Sequence, residues 1–98
     1  MAKYGISKKA IADLDSIWNY TAQTWSEEQA VKYYRDIRDA IIGLSALPGY
    51  SGRSFEEIRP GLMGYCVGHH IVFYNKRKDG SVWVSRILHE KMDYARHF

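Results

Sequence analysis

Thr24-Trp25-Ser26-Glu27-Glu28-Gln29-Ala30 is the stretch on which the fold turns. Ser26 and Gln29 stand at capping-box spacing, where each side chain can bond the other's backbone N–H. Glu27 and Glu28 put negative charge where a helix begins and its dipole is positive. Upstream, Ile11, Leu14, Ile17, Trp18, Thr21 and Trp25 recur at three- and four-residue steps. Downstream, Ala30, Tyr33, Tyr34, Ile37, Ala40, Ile41, Leu44 and Leu47 do the same and stop at Pro48-Gly49. Both are apolar stripes of helical period. Two amphipathic helices with almost no linker make an antiparallel α-hairpin. Ser7 is placed to N-cap the first helix. Before it, Tyr4 and Ile6 alternate with Lys3 and Gly5, which predicts a short strand.

After the hairpin the pattern changes. Residues 49–61 are rich in Gly, Ser and charge and read as a loop. Residues 62–69, 70–77 and 82–89 have the two-residue period or the wholly apolar run of strands. Asp79-Gly80 signals a hairpin turn, because Gly accepts the positive φ that such turns require. Residues 90–98 have room for one short helical turn. The predicted class is α+β: an antiparallel α-hairpin packed on a small, mainly antiparallel sheet, in the order β-α-α-β-β-β with a short C-terminal helical turn.

A chain of 98 residues is one domain's worth, residues 1–98, since two halves would each be too small for a useful core. Hydrophobic residues make up 46% and charged residues 26%, the balance of an ordinary globular protein. No run approaches the ~20 apolar residues of a membrane span. The opening Met1-Ala2-Lys3-Tyr4-Gly5 has no signal-peptide core, and one cysteine, Cys66, excludes an internal disulfide framework. A cytoplasmic location is expected. The net charge of +3 favours acidic partners by steering without being diagnostic of nucleic acid. It is concentrated late: from Ile58 onward Asp79, Glu90 and Asp93 face Arg59, Lys76, Arg77, Lys78, Arg86, Lys91 and Arg96.

Few residues carry obvious chemistry. His69 and His70 are adjacent, so on a strand they point to opposite faces and cannot share one ion. With no cluster of carboxylates beside them, no metal site is expected, and one ring should be partly buried, the other solvated. Cys66 reads as a small buried hydrophobe. Gly61, Gly64 and Gly68 lack the strand–loop–helix context of a phosphate cradle and read as bulges or close backbone approaches. Glu56, Glu57, Arg59, Tyr74, Arg86 and His89 all fall in or near the sheet half. Glu, His and Arg are the types a ribonuclease needs as base, acid and phosphorane-stabilising cation. The plainer reading makes the glutamates loop surface, Arg86 a carboxylate partner and His89 a strand end. Trp18, Trp25, Tyr33 and Tyr34 read as hairpin–sheet core, or as the wall of a groove for a partner helix.

Several segments carry a family resemblance. They are Ser7 and Ala10 leading into Asp13-Leu14, Ile17 and Tyr20; Gln29-Ala30 with Tyr33; Gly52-Arg53; Glu57-Ile58-Arg59-Pro60-Gly61-Leu62; His70-Ile71-Val72-Phe73-Tyr74; and Arg86-Ile87-Leu88-His89 with Met92-Asp93. In this order, over nearly the whole chain, they resemble the ParE toxins of the RelE/ParE superfamily of type II toxin–antitoxin modules. Met63 departs from the basic residue that often follows Pro-Gly-Leu, and the Asp79-Gly80 turn is more basic than usual. The resemblance implies the same fold, no cofactor and no catalysis. It implies a toxin that stalls DNA gyrase and is neutralised, as a hetero-oligomer, by a ParD-like antitoxin that alone touches DNA.

On that footing the apolar antitoxin anchors are Trp18, Trp25, Tyr34 and Ile41, and the charged ones Arg35, Arg38 and Arg53. The gyrase contact falls to Arg59, Arg86, Lys91, Arg96, His97 and Phe98, with residues 96–98 expected to be dispensable for folding. The competing reading is a RelE-type, ribosome-dependent mRNA endonuclease using Glu57, Arg59, Arg86 and His89. A degenerate, inactive toxin is a third.

Overall fold

The computed structural model describes residues 3–46 and 52–98. Strand β1 (Tyr4–Ile6) leads into helices α1 (Lys8–Thr24) and α2 (Glu27–Ala46); strands β2 (Arg53–Ser54), β3 (Met63–Val67), β4 (His70–Lys76) and β5 (Val82–His89) follow, and a 3₁₀ helix (Tyr94–His97) ends the chain. The helical hairpin forms where the sequence places it. Ser7 Oγ accepts the Ala10 N–H at 3.0 Å, and Ser26 Oγ accepts the Gln29 N–H at 3.0 Å. The reciprocal half of the capping box is replaced: the Ser26 N–H bonds Thr21 O at 3.2 Å, so it needs nothing from Gln29. The predicted stop at Leu47 and Pro48-Gly49 lies outside the described residues.

The sheet has the order β1-β5-β4-β3-β2. Its pairs are antiparallel except β1 with β5, which run parallel. Part of the predicted loop is strand: Arg53 and Ser54 pair with Gly64 and Met63 and form one edge. At the Asp79-Gly80 turn, Gly80 has φ +86° and Asp79 accepts the Ser81 N–H at 2.9 Å.

Strict alternation would align Val82, Val84, Arg86 and Leu88 on one face. A β-bulge prevents it. Phe73 pairs with Arg86 but Tyr74 pairs with Val84, leaving Ser85 as the extra residue. Val82, Val84 and Ile87 therefore join Val72 and Tyr74 beneath Ile37, Ile41 and Leu44 of α2. Leu88 joins Ile71 and Phe73 on the opposite face, under Phe55 and Leu62 with Ile58, Tyr94 and Phe98 against them.

Two expectations fail on this second face. Cys66 is exposed, because Tyr65 and Val67 turn toward the helices and the Phe55 turn covers only Gly64, where a Cβ would come within 2.6 Å of the Phe55 ring. The C-terminus is no loose end either. The Phe98 ring packs 5.3 Å from that of Phe73, the Arg59 guanidinium lies 5.0 Å above the Phe98 ring, and His97 O accepts from Arg86.

Candidate functional site

β1 ends opposite Val84, so beyond it the outer edge of β5 lacks a strand partner. Asp13 of α1 takes that place. Its carboxylate accepts the Ile87 backbone N–H at 3.0 Å and holds Arg86 in two bonds of 2.8 and 2.9 Å. The side chains of this pair are only 16% and 15% exposed. The bidentate bond raises the Arg86 pKa. Of the two sequence readings of Arg86, the carboxylate-paired one is the structure's.

Along this edge runs a groove of about 480 Å³, lined among others by Asp13, Tyr20, Arg86, His89 and His97. It meets a second, of about 520 Å³, at the turn end of the hairpin, lined by Tyr20, Thr21, Trp25, Gln29, Tyr33, His69, His70 and His89. All four histidines of the chain therefore face these grooves. His69 is solvated and bonds Glu90 at 3.1 Å, which holds the Glu90 carboxyl below its usual range. His70 is half-buried against Tyr33, whose hydroxyl lies 2.7 Å from its Nδ1. Burial, then repulsion from the His89 and His69 rings, lowers the His70 pKa to about 4. The division of the two histidines follows the sequence reading. No cluster of ligands able to hold a metal occurs among the described residues, and no described helix is long and apolar enough to cross a membrane.

The expected antitoxin anchors are not one surface. Trp18 and Tyr34 meet edge to face at 6.2 Å, and Tyr34 and Arg38 line a small groove of about 90 Å³ with Tyr4, Ile6 and Leu14. Ile41 forms the floor of this groove but is only 2% exposed, so it belongs to the core and offers no anchor. Trp25 is not core: it is 74% exposed at the hairpin turn. Arg35 is exposed on α2. Arg53 lies on the far edge strand, over the Phe55 ring at 4.3 Å.

The expected target residues are closer together. Arg59 touches Phe98, and Arg86 touches His97, while Lys91 and Arg96 are exposed. The four ribonuclease candidates divide. Arg86 and His89 share a groove; Glu57 and Arg59 belong to the turn between β2 and β3 and do not line it. Sequence reasoning assigned no role to Asp13, and it missed the Tyr33–His70 contact. The one signal for Asp13 is a carboxylate bordering the apolar stripe next to Leu14.

The chain matches, over residues 4–94, the family described as "ParE toxin of type II toxin-antitoxin system, parDE". It is 38% identical over 96 residues to Toxin ParE1 of Mycobacterium tuberculosis, covering 98% of this chain and 97% of that protein. It is likewise 38% identical over 97 residues to Toxin ParE1 of Caulobacter vibrioides, covering 99% and 98%, and 33% identical over 93 residues to Toxin ParE of Escherichia coli, covering 95% and 89%. Among solved structures, a chain of a chromosomal ParDE toxin–antitoxin system from P. aeruginosa shares the fold, with a TM-score of 0.75, 24% identity and coverage of 91% and 96%. With fold, length and sequence agreeing, this chain belongs to the ParE toxin family of type II toxin–antitoxin systems.

Proposed function

We propose that this ParE toxin acts in the cytoplasm by stalling DNA gyrase through protein contacts, without catalysing a reaction, and that a ParD-like antitoxin neutralises it in a hetero-oligomer. The observation that carries the partner is the apolar surface beside the β1 edge. Tyr4 and Tyr34 are each 44% exposed around the small hairpin groove, and Trp18 stands against Tyr34. A contiguous apolar patch on a small protein marks an interface, and a stable pair buries at least ~1,200 Å². The antitoxin covers this patch and meets Arg35 and Arg38 at its rim. The exposed cations Arg59, which lies over the Phe98 ring, Lys91 and Arg96 supply the contact with an acidic surface of gyrase by steering and a few anchors.

Purified toxin should block negative supercoiling by gyrase and accumulate cleaved DNA, and stoichiometric antitoxin should reverse both. Supercoiling at the normal rate in excess toxin would end the gyrase reading. Tyr34→Asp should cut antitoxin affinity while leaving gyrase inhibition in place. Ribosome-dependent mRNA cleavage competes poorly, because it asks Glu57, Arg59, Arg86 and His89 to act on one phosphate, and only two of them line a common groove.

A further inference from the structure

The Tyr33 hydroxyl has one proton and two lone pairs. It meets three groups: Val67 O at 2.8 Å, the His69 backbone N–H at 3.2 Å and His70 Nδ1 at 2.7 Å. The carbonyl can only accept, so it takes the tyrosine proton. The amide can only donate, so it fills one lone pair. The second lone pair remains for His70, whose Nδ1 therefore carries the hydrogen and whose Nε2 is a bare acceptor. His89 is fixed the opposite way. Its Nδ1 accepts the Lys91 backbone N–H at 3.2 Å, so the ring is neutral with its hydrogen on Nε2.

These rings are direct cross-strand partners, stand edge to face at 5.3 Å and line the same 520 Å³ groove. Among the described residues neither Nε2 has a partner. Neither is sealed from solvent, since among the described residues Ser81 Oγ alone is a buried side-chain polar atom without a partner. Nearby, Arg86 is already matched by Asp13, and the Glu90 carboxylate is engaged by His69.

A neutral acceptor beside a neutral donor rejects single-signed ligands. A carboxylate or phosphate would meet the His70 lone pair, and an ammonium would meet the His89 N–H. A primary amide, which carries its N–H and C=O on one edge, satisfies both. We propose that this groove binds an uncharged polypeptide segment of a partner protein, holding one Asn or Gln side-chain amide with its N–H on His70 Nε2 and its C=O on His89 Nε2–H. An adjoining apolar side chain rests on Tyr20 and Trp25, which are 65% and 74% exposed. A nucleobase has similar edges, but its phosphates need unmatched cations, and the lining of this groove supplies none. The site is separate from the hairpin patch and the C-terminal cations of the gyrase reading and does not depend on it.

Long-range ¹H–¹⁵N imidazole spectra of the whole chain at neutral pH should show His70 as the Nδ1–H and His89 as the Nε2–H tautomer. Titration with N-acetyl-glutamine methylamide should shift both rings saturably, and more strongly than N-acetyl-glutamate methylamide or cytidine monophosphate does. Tyr33→Phe, checked for folding by its amide spectrum, should weaken that binding about tenfold, the scale of one lost hydrogen bond. His89→Gln keeps an N–H near the Nε2 position and should retain binding, whereas His89→Leu should lose it. This second pair decides the matter if Tyr33→Phe does not fold. Matching tautomers at the two rings, no saturable shift, equal or tighter binding of the glutamate or nucleotide probe, or equal binding by the Gln and Leu variants would each overturn the assignment.

Discussion

On one face of the sheet, Val72, Tyr74, Val82, Val84 and Ile87 lie beneath helices of 17 and 20 residues. On the other, Ile71, Phe73 and Leu88 lie beneath the turn carrying Phe55 and Leu62 and a 3₁₀ helix of four residues. A helix gives the core one apolar residue every three or four positions, so covering a sheet with helices takes length. The second face uses rings instead, and each ring buries far more area than an aliphatic side chain. Phe73 has the rings of Phe55, Tyr94 and Phe98 around it, at centroid distances of 5.0, 5.2 and 5.3 Å. Fewer residues therefore carry more of the stability there.

The largest expected effect tests that concentration. Phe73→Ala should destabilise the chain by about 4–5 kcal/mol, the upper end for a buried aromatic. Ile37→Ala beneath the helices should cost about 3 kcal/mol. Urea unfolding of the two variants gives the comparison, and a smaller loss at Phe73 would break it.

Next comes the seam between the faces, where Asp13 stands in for a strand. Exposed ion pairs contribute under ~1 kcal/mol, while breaking a buried one costs ~3–5. Asp13→Asn weakens the Arg86 bond in a half-dry setting and should cost about 2–3 kcal/mol. If Asp13→Asn unfolded at the wild-type urea midpoint, the edge would be held by the backbone alone.

The helix-covered face was legible in the sequence because periodicity carries it. Ser7, the Ser26 turn and the stripe from Ala30 to Leu44 all state it locally, and Asp79-Gly80 states the β4–β5 turn. The ring-covered face has no period. Phe55 and Phe98 stand 43 positions apart and meet only through Phe73, so no window of sequence holds the pattern. The bulge at Ser85 is equally silent, and it decides which side Leu88 takes. The site shared this fate: Asp13 and Arg86 are 73 residues apart, and the roles of His70 and His89 depend on backbone partners that exist only after folding.

The end of the chain sharpens the same comparison. Removing residues 96–98 takes away the Phe98 ring, its contact with Arg59 and the carbonyl that accepts from Arg86. Phe98 is only partly buried, so the loss should be about 2 kcal/mol, lowering Tm by about 10 °C in a domain this size. Gyrase inhibition by the truncated chain is therefore interpretable only below its new melting range. Arg96→Ala, on an exposed side chain, tests the proposed gyrase contact without that penalty: it should leave Tm within about a degree and weaken inhibition.

The smallest effect belongs to the helix-covered face, where the Tyr33–His70 bond ties α2 to the β3–β4 turn. His70 titrates near 4 when folded, against 6.5 for an unperturbed ring, because burial and then the neighbouring His89 and His69 rings oppose its charge. The unfolded chain therefore takes up this proton first as pH falls. Stability from His70 is complete above about pH 6.5, declines as the pH drops toward 4, and is gone below it. Solvent screening at a half-buried ring limits the change to about 1–2 kcal/mol. His70→Asn keeps a donor for Tyr33 and has no proton to gain, so it should flatten the stability curve over this interval. Amide exchange near pH 5 should then quicken first in α2 and around Gly68, with the Phe55 turn following later. An unchanged slope in His70→Asn would move the acid sensitivity to the carboxylates and leave the two faces indistinguishable by pH.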